Sequence, residues 1–506
     1  MGNKQKELKE IQKAGEISKD EIKAQHEKGK LTAWERLDIL LDKDSFLEYD
    51  ALMESSFEKK KQRDGVITGI GRIEGRKVCV YAQDFTFIGG SMGEAHTRKI
   101  ARTIREALKL GCPVIGLLDS GGARIQEGVN GLSGGGEIFR LNTQASGIIP
   151  QISAIMGPCA GIAVYSPALT DFILMVKKTG HMFITGPEVI KAVTGEDISL
   201  ENLGGSAVHA EKSGVAHFTA DSEEQCLLKI KKLLSYLPSN NLSGSPILET
   251  KDDPDRLTDK IISILPSDEA KPYDVIEIIN EVTDKKSFYP VMEEYAQNVV
   301  IGFARMNNMV TGVVANQPSV LAGCLDINSS DKISRFVRFC DCFNIPLINL
   351  VDVTGYLPGT EQEHGGIIRH GAKILYAYSE ATVPKISLVM RKSYGGAYIA
   401  LSSKDMGYDK VLAWPSAEIA VMGAEGAVNI LERKEILKSK NPDKLRKEKA
   451  EAYREQYLNP YMAAKQGFVD MVIDFPETRK VLVSVLEALV TKREKNPAKK
   501  HGNFPV

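Results

Sequence analysis

Two glycine-rich segments carry the residues best suited to chemistry: Gly157-Pro-Cys-Ala-Gly161-Ile162-Ala-Val-Tyr-Ser166 and Arg391-Lys-Ser-Tyr-Gly395-Gly396-Ala397-Tyr398. Each follows an apolar run. Small residues between a strand and a helix expose backbone N–H groups, and those donors, with the helix dipole, stabilise a developing oxyanion. Close helix–strand packing is the alternative use of the same residues. Gly89-Gly90-Ser91-Met92-Gly93 satisfies the GxSxG signature of a nucleophile elbow and raises a serine hydrolase. An elbow sets its Ser directly at a strand end, whereas here several residues intervene after the run ending at Ala82. Gly69-Ile-Gly71 and Gly134-Gly135-Gly136 lack the Lys-Ser/Thr ending of a phosphate loop. The eight His residues form no HExxH or HxH pair, and no catalytic transition metal is expected. Seven scattered Cys without a CxxC pair suggest neither a disulfide framework nor a zinc ribbon, and Cys340 and Cys342 should face apart on one helix.

The elements that must position these segments occur twice. At an offset of 233, Gly69 matches Gly302, Gly90 matches Gly323, Lys99 matches Lys332, Asp119 matches Asp352 and Gly122 matches Gly355; at 234, Ile149 to Met156 matches Val383 to Met390. Each copy predicts a β-rich stretch, a Gly-bearing loop, an amphipathic helix and a buried strand. The helices show apolar spacing at Ile100, Ile104 and Leu108, and at Ile333, Phe336, Val337 and Cys340. The strands, PVIGLLD and PLINLVD, are continuous apolar runs of the kind buried in parallel sheets, whose sites lie beyond the strands' carboxyl ends. Those ends are Asp119 to Arg124 and Asp352 to Gly359.

A chain of 506 residues, 43% of them apolar, can bury more than one core. The 65 Lys+Arg against 66 Asp+Glu exclude a broad polyanion-binding surface. The N-terminal sequence has no signal-peptide core and no run long enough to span a bilayer, so a cytoplasmic location is expected. The turn formers of PSNNLSGSP and TKDDPD place a domain boundary after residue 253, giving 1–253 and 254–506. Residues 1–43 are expected as a solvated helical arm, with Thr32 and Glu35 as a capping box. The charged stretch from Glu432 to Gln456 reads as helices with a solvated or subunit-contacting face.

DSGGARIQEG (119–128), GPCAG (157–161), FITGPEVIKAVTGE (183–196), PGTEQEHGGIIRHGAK (358–373) and RKSYGGAY (391–398) resemble the carboxyltransferase β subunit of biotin-dependent acyl-CoA carboxylases of the propionyl-CoA carboxylase type. The carboxyltransferase subunit of methylmalonyl-CoA decarboxylases shares these motifs. The resemblance implies an α/β fold, a tandem duplication of a crotonase-like domain, assembled as a homo-hexamer. It implies that the first domain holds the acyl-CoA thioester, with the N–H groups of Gly161 and Ile162 as its oxyanion hole. The second would hold biotin, with Gly396 and Ala397 as the ureido hole and Gly355, Pro358 and Gly359 in the biotin-side loop. Substrate contacts are expected at Gly121, Gly122, Ala123, Arg124, Tyr398 and Ile399. No side chain need act as base. The chain departs from the family at two places. Ile162 stands where a second Gly is usual, and a β-branched residue disfavours positive φ; Ile399 stands where propionyl-type members tend to have Asp. With no Met-Lys-Met segment and no ATP-binding loop, the chain needs a biotin carboxyl carrier protein and a biotin carboxylase as partners. A non-catalytic scaffold keeping only the fold is the rival from another class.

Overall fold

In the computed structural model, which describes residues 4–8, 17–55, 62–268 and 271–506, the first sheet begins with three antiparallel strands. They are β1 (Leu47–Tyr49), β2 (Val66–Ile73) and β3 (Arg76–Gln83). The β2–β3 hairpin turns through Glu74 and Gly75, both at positive φ, the twist-matched solution for a two-residue loop. From β3 the sheet runs parallel through β4 (Val114–Ser120), β5 (Gln151–Ala160), β6 (Phe172–Val176) and, at its far edge, β8 (Phe218–Ala220). A short β7 (His181–Phe183) pairs with the end of β5. All seven residues of β4 are buried, as the continuous apolar run requires. Helix Glu94–Leu110 crosses from β3 to β4 and buries Ile100 and Ile104 against Val114, Leu118 and Ile155.

The second sheet repeats this order. Strands β9 (Tyr289–Val291), β10 (Val299–Met306) and β11 (Met309–Asn316) are antiparallel; β12 (Leu347–Val353), β13 (Lys385–Tyr394), β14 (Lys410–Ala413) and β16 (Met471–Val472) continue in parallel from β11, and β15 (Glu418–Ala420) pairs with the end of β13. Its hairpin turns through Asn307 and Asn308, again both at positive φ. Helix Ile327–Cys342 buries Ile333, Phe336, Val337 and Cys340 and leaves Cys342 exposed. Its core also receives Ile278, Ile279, Leu482 and Leu486 from two flanking helices.

The matched positions have physical reasons. Lys99 and Lys332 are buried, and each ammonium donates to backbone carbonyls preceding or opening β2 or β10: Arg63 O and Val66 O for one; Tyr295 O (2.6 Å), Ala296 O and Val299 O (2.7 Å) for the other. Burial lowers the first lysine to about 8 and the second to about 7. Gly90 and Gly323 sit at positive φ, and a Cβ on either would lie 2.1 Å from Asp119 O or 2.5 Å from Asp352 O.

Two sequence expectations change here. The units divide at Met1–Ser243 and Gly244–Val506, before the TKDDPD segment rather than after it. Residues 245–250 already belong to the second unit: Ile247 bridges to Met309, and Thr250 Oγ1 donates to Asp284. The arm is not solvated throughout. Thr32 and Glu35 form the expected capping box, but helix Ala33–Leu40 buries Arg36, Leu37 and Leu40. Among the described residues no helix is long and apolar enough to cross a membrane.

Candidate active site

Both glycine-rich segments lie where a parallel strand gives way to a helical turn. In the first unit β5 ends at Ala160 and a 3₁₀ turn, Gly161–Val164, begins; in the second, β13 ends at Tyr394 and helix Gly395–Ser402 begins. Neither N-terminus is capped by a side chain. Both turns thus begin at the carboxyl ends of equivalent strands with no side-chain acceptor for their first N–H groups. Gly161 and Gly395 share φ of 58°, so each turn starts from a left-handed residue that only glycine adopts without strain. The departure at Ile162 is harmless to the backbone, because Ile162 is not at positive φ. Its side chain lies where a Cβ on Gly135 would meet Ile162 Cδ1 at 2.3 Å, so the glycine run makes room for it. At the 234 offset, Gly161 and Ile162 correspond to Gly395 and Gly396, so the two expected donor pairs are one residue out of step.

Beneath each turn lies a buried aspartate at a register shift in its strand, Asp119 in β4 and Asp352 in β12. An amide side chain takes the N–H of each: Gln83 Oε1 from Asp119 N (3.0 Å), Asn316 Oδ1 from Asp352 N (3.3 Å). The counter-charges differ. Asp119 pairs with Lys30 Nζ (2.7 Å) and Arg36 Nη2 (3.0 Å), and Arg36 also holds Glu223 (2.6 Å). Asp352 pairs with Arg391 Nε (2.8 Å) and accepts from Tyr273 OH (3.0 Å). Arg391 occupies the position equivalent to Gly157, where a Cβ would lie 1.9 Å from Asp119 Oδ1 and 2.9 Å from Lys30 Nζ. One copy neutralises its aspartate from the strand beside it; the other leaves a gap there that the N-terminal segment fills.

Of the expected contact residues, Gly121 is exposed and Gly122 is buried over the end of β5, its hypothetical Cβ 2.7 Å from Ala160 O, while Ala123 bridges to Met92. Arg124 is different. It is fully buried, with its guanidinium on Asp64 (2.6 Å), Glu127 (2.9 Å) and Ser91 O (2.8 Å), so its side chain braces the loop. Ser91 Oγ accepts from Arg124 Nε (3.3 Å), an arrangement with no His base and unlike an elbow nucleophile. His96 lies behind this brace, its Nδ1 donating to Asp64 O (3.0 Å) and its Nε2 accepting from Gln83 (3.2 Å). Burial, with the Arg124 charge, pushes His96 down to about 3 and keeps it neutral.

In the second unit a cavity of about 770 Å³ joins Gly395, Gly396, Tyr398 and Ile399 to Tyr453 and Phe468. Ala397 is buried just behind it. Gly355, Pro358 and Gly359 lie on the loop after β12, beside the turn: a Cβ on Gly396 would touch the Tyr356 ring at 3.5 Å. The charged stretch differs from expectation here. Helix Pro442–Tyr457 turns Tyr453 and Tyr457, their tilted rings 4.9 Å apart, toward the cavity, and Arg454 inward to Glu418; sequence reasoning missed this i,i+4 aromatic pair inside a charged run. Among the described residues no cluster could hold a metal ion.

Two duplicated, mostly parallel sheets with helical crossovers are a tandem crotonase-like architecture, and comparison with known proteins gives its family. The chain belongs to the carboxyl transferase domain family, which it matches over residues 24–504. It is 56% identical over 493 residues to the carboxyltransferase subunit of propionyl-CoA carboxylase from Haloferax mediterranei, covering 96% of each chain. It is 53% identical over 491 residues to methylmalonyl-CoA decarboxylase subunit alpha of Veillonella parvula, covering 96% of this chain and 95% of that one. The transcarboxylase 12S crystal structure, a hexamer with methylmalonyl-coenzyme A and methylmalonic acid bound, superposes with a TM-score of 0.96 at 51% identity, over 100% of this chain and 98% of that one.

Proposed function

We propose that this chain moves a carboxyl group between biotin borne on a separate carrier protein and the α carbon of a short acyl-CoA, propionyl or acetyl. The observation that carries this reading is the pair of uncapped turns at equivalent strand ends, since two small anions need two sets of donors. The N–H groups of Gly161 and Ile162 hold the thioester oxygen as negative charge develops on it. Those of Gly396 and Ala397 hold the ureido oxygen. The cavity beside Gly396 fits that group, being roomy enough for a bicyclic ring and walled by Tyr398, Ile399 and Phe468. Carboxylated biotin supplies the CO2 unit. The turns bind, orient and exclude water, and no side chain is asked to act as base. A biotin carboxyl carrier protein and a biotin carboxylase complete the system, and the chain works as a homo-hexamer.

The purified chain, given methylmalonyl-CoA or malonyl-CoA with free biotin, should release CO2 by the reverse reaction. Gly396→Pro should lower that rate by about 10²–10³, the typical cost of one oxyanion donor. Proline fits the first turn of a helix, and a Cβ at this position meets the Tyr356 ring only at an ordinary contact distance of 3.5 Å. No turnover with any short acyl-CoA would favour the scaffold instead, and an unchanged rate in a folded Gly396→Pro variant would reassign the second hole. The 53% identical decarboxylase subunit supports a second reading, decarboxylation of methylmalonyl-CoA. Neighbouring genes separate the two: a biotin carboxylase gene indicates synthesis, a polytopic membrane subunit a decarboxylase.

A further inference from the structure

Tyr394, the last residue of β13, immediately precedes the left-handed Gly395, yet its side chain points away from the turn into another set of helices. Its ring packs with Ala424, Val428, Ile436, Ala450 and Leu458, an apolar cluster separate from the main core of the second unit. Its hydroxyl donates to Glu418 Oε2; Glu418 Oε1 accepts from Arg454 Nε (3.0 Å), and Arg454 Nη2 reaches Glu425 (3.3 Å). Glu418 lies on β15, which pairs with the end of β13, and Arg454 lies on helix Pro442–Tyr457, whose Tyr453 and Tyr457 wall the cavity. The duplication supplies a control: the residue equivalent to Tyr394 is Ala160, which has no ring and no hydroxyl. At the first turn Ile162 packs against helix Gly135–Ala145, whereas at the second the strand's last residue, Tyr394, reaches flanking helices with its ring and a hydrogen bond to Glu418.

Resting on the function proposed above, we infer that Tyr394, held by Glu418 and Arg454, is a positioning residue through which the helices at 424–457 fix the Gly395–Gly396 turn. The ring anchors the strand end in the cluster, and the hydroxyl sets its rotation. The ion pair between Glu418 and Arg454 keeps the cavity wall at a fixed distance from the donors. Loosening this link misplaces N–H groups that act on developing charge, so it lowers kcat while leaving ground-state binding of the acyl-CoA nearly intact.

The test uses the full-length protein in the CO2-release assay. Tyr394→Phe, which keeps the ring, and Arg454→Met should each lower kcat by about tenfold or more with KM within about twofold, and Arg454→Lys should recover part of the loss. Hydrogen exchange of the amides at 395–402 should quicken in the same variants, with exchange in the first unit unchanged. Wild-type kcat in both Tyr394→Phe and Arg454→Met overturns the inference, whether or not exchange quickens. So does a proportional change in KM and kcat that follows thermal stability. Exchange is readable without turnover: quickened exchange in a chain whose wild type releases no CO2 overturns the function, whereas unchanged exchange overturns the link.

Discussion

Ile399 is about half exposed on the wall of the cavity proposed for the ureido ring, where the acyl group must come to exchange the carboxyl with that ring. A branched apolar side chain there makes the surroundings dry, which favours acceptance of more than one short aliphatic acyl group. One methylene in such a pocket is worth about 1–3 kcal/mol, so Ile399→Asp should shift the relative kcat/KM for acetyl-, propionyl- and butyryl-CoA by about 10–200-fold. Profiles that coincide within about twofold would remove residue 399 from the account of specificity. His96 gives a residue-scale prediction about acid. Its folded value, near 3, lies below the unfolded value of about 6.5, so the unfolded chain binds the extra proton between those limits. The stability it contributes is complete above pH 6.5 and is lost as pH falls toward 3, at up to about 1.4 kcal/mol per pH unit. Urea unfolding at pH 7 and pH 5 should show a steeper loss in the wild type than in His96→Gln, and parallel losses would contradict the assignment.

At the scale of elements, the N-terminal helix Ala33–Leu40 is a structural member because one of its residues, Arg36, stands between two buried carboxylates. Arg36→Ala leaves Asp119 and Glu223 without that charge and should destabilise the first unit by about 3–5 kcal/mol, measured by urea unfolding. A loss below about 1 kcal/mol would mean that the pair behaves as a surface one. This element also shows where the sequence stops being informative. The buried parallel strands and crossover helices were legible because apolar runs and matched identities mark them locally. The capping box at Thr32 was legible for the same reason. That Arg36 meets Asp119 was not, because nothing near either residue signals a partner 83 positions away. Gln83 and Asn316 escaped notice because an identity match does not register two amides of different length doing one job. That Arg124 turns inward to Asp64 was not legible either, because its motif fixes the residue and not the direction of its side chain.

Across the whole molecule, duplication makes equivalent positions answer to equivalent forces. Gly90 and Gly323 both take positive φ above an aspartate carbonyl. Gly90→Ala and Gly323→Ala should therefore each cost more than the roughly 1 kcal/mol of an ordinary Gly-to-Ala conformational effect, and by similar amounts, because the added methyl meets backbone. A large cost at one site and none at the other, in matched urea titrations, would break the equivalence. Tyr394, set among a further group of helices, has no such twin, since the first copy has Ala160 in its place.

The unequal origin of the two counter-charges has a consequence for the order in which the chain is made. Lys30 and Arg36 leave the ribosome before Asp119, so when β4 emerges its carboxylate already has cations waiting. Asp352 emerges ahead of Arg391, with only the Tyr273 hydroxyl made in advance. The first unit can neutralise its strand end as that strand forms, whereas the second must keep Asp352 in water until the far end of β13 has been synthesised. Two copies of one fold thus close on different schedules.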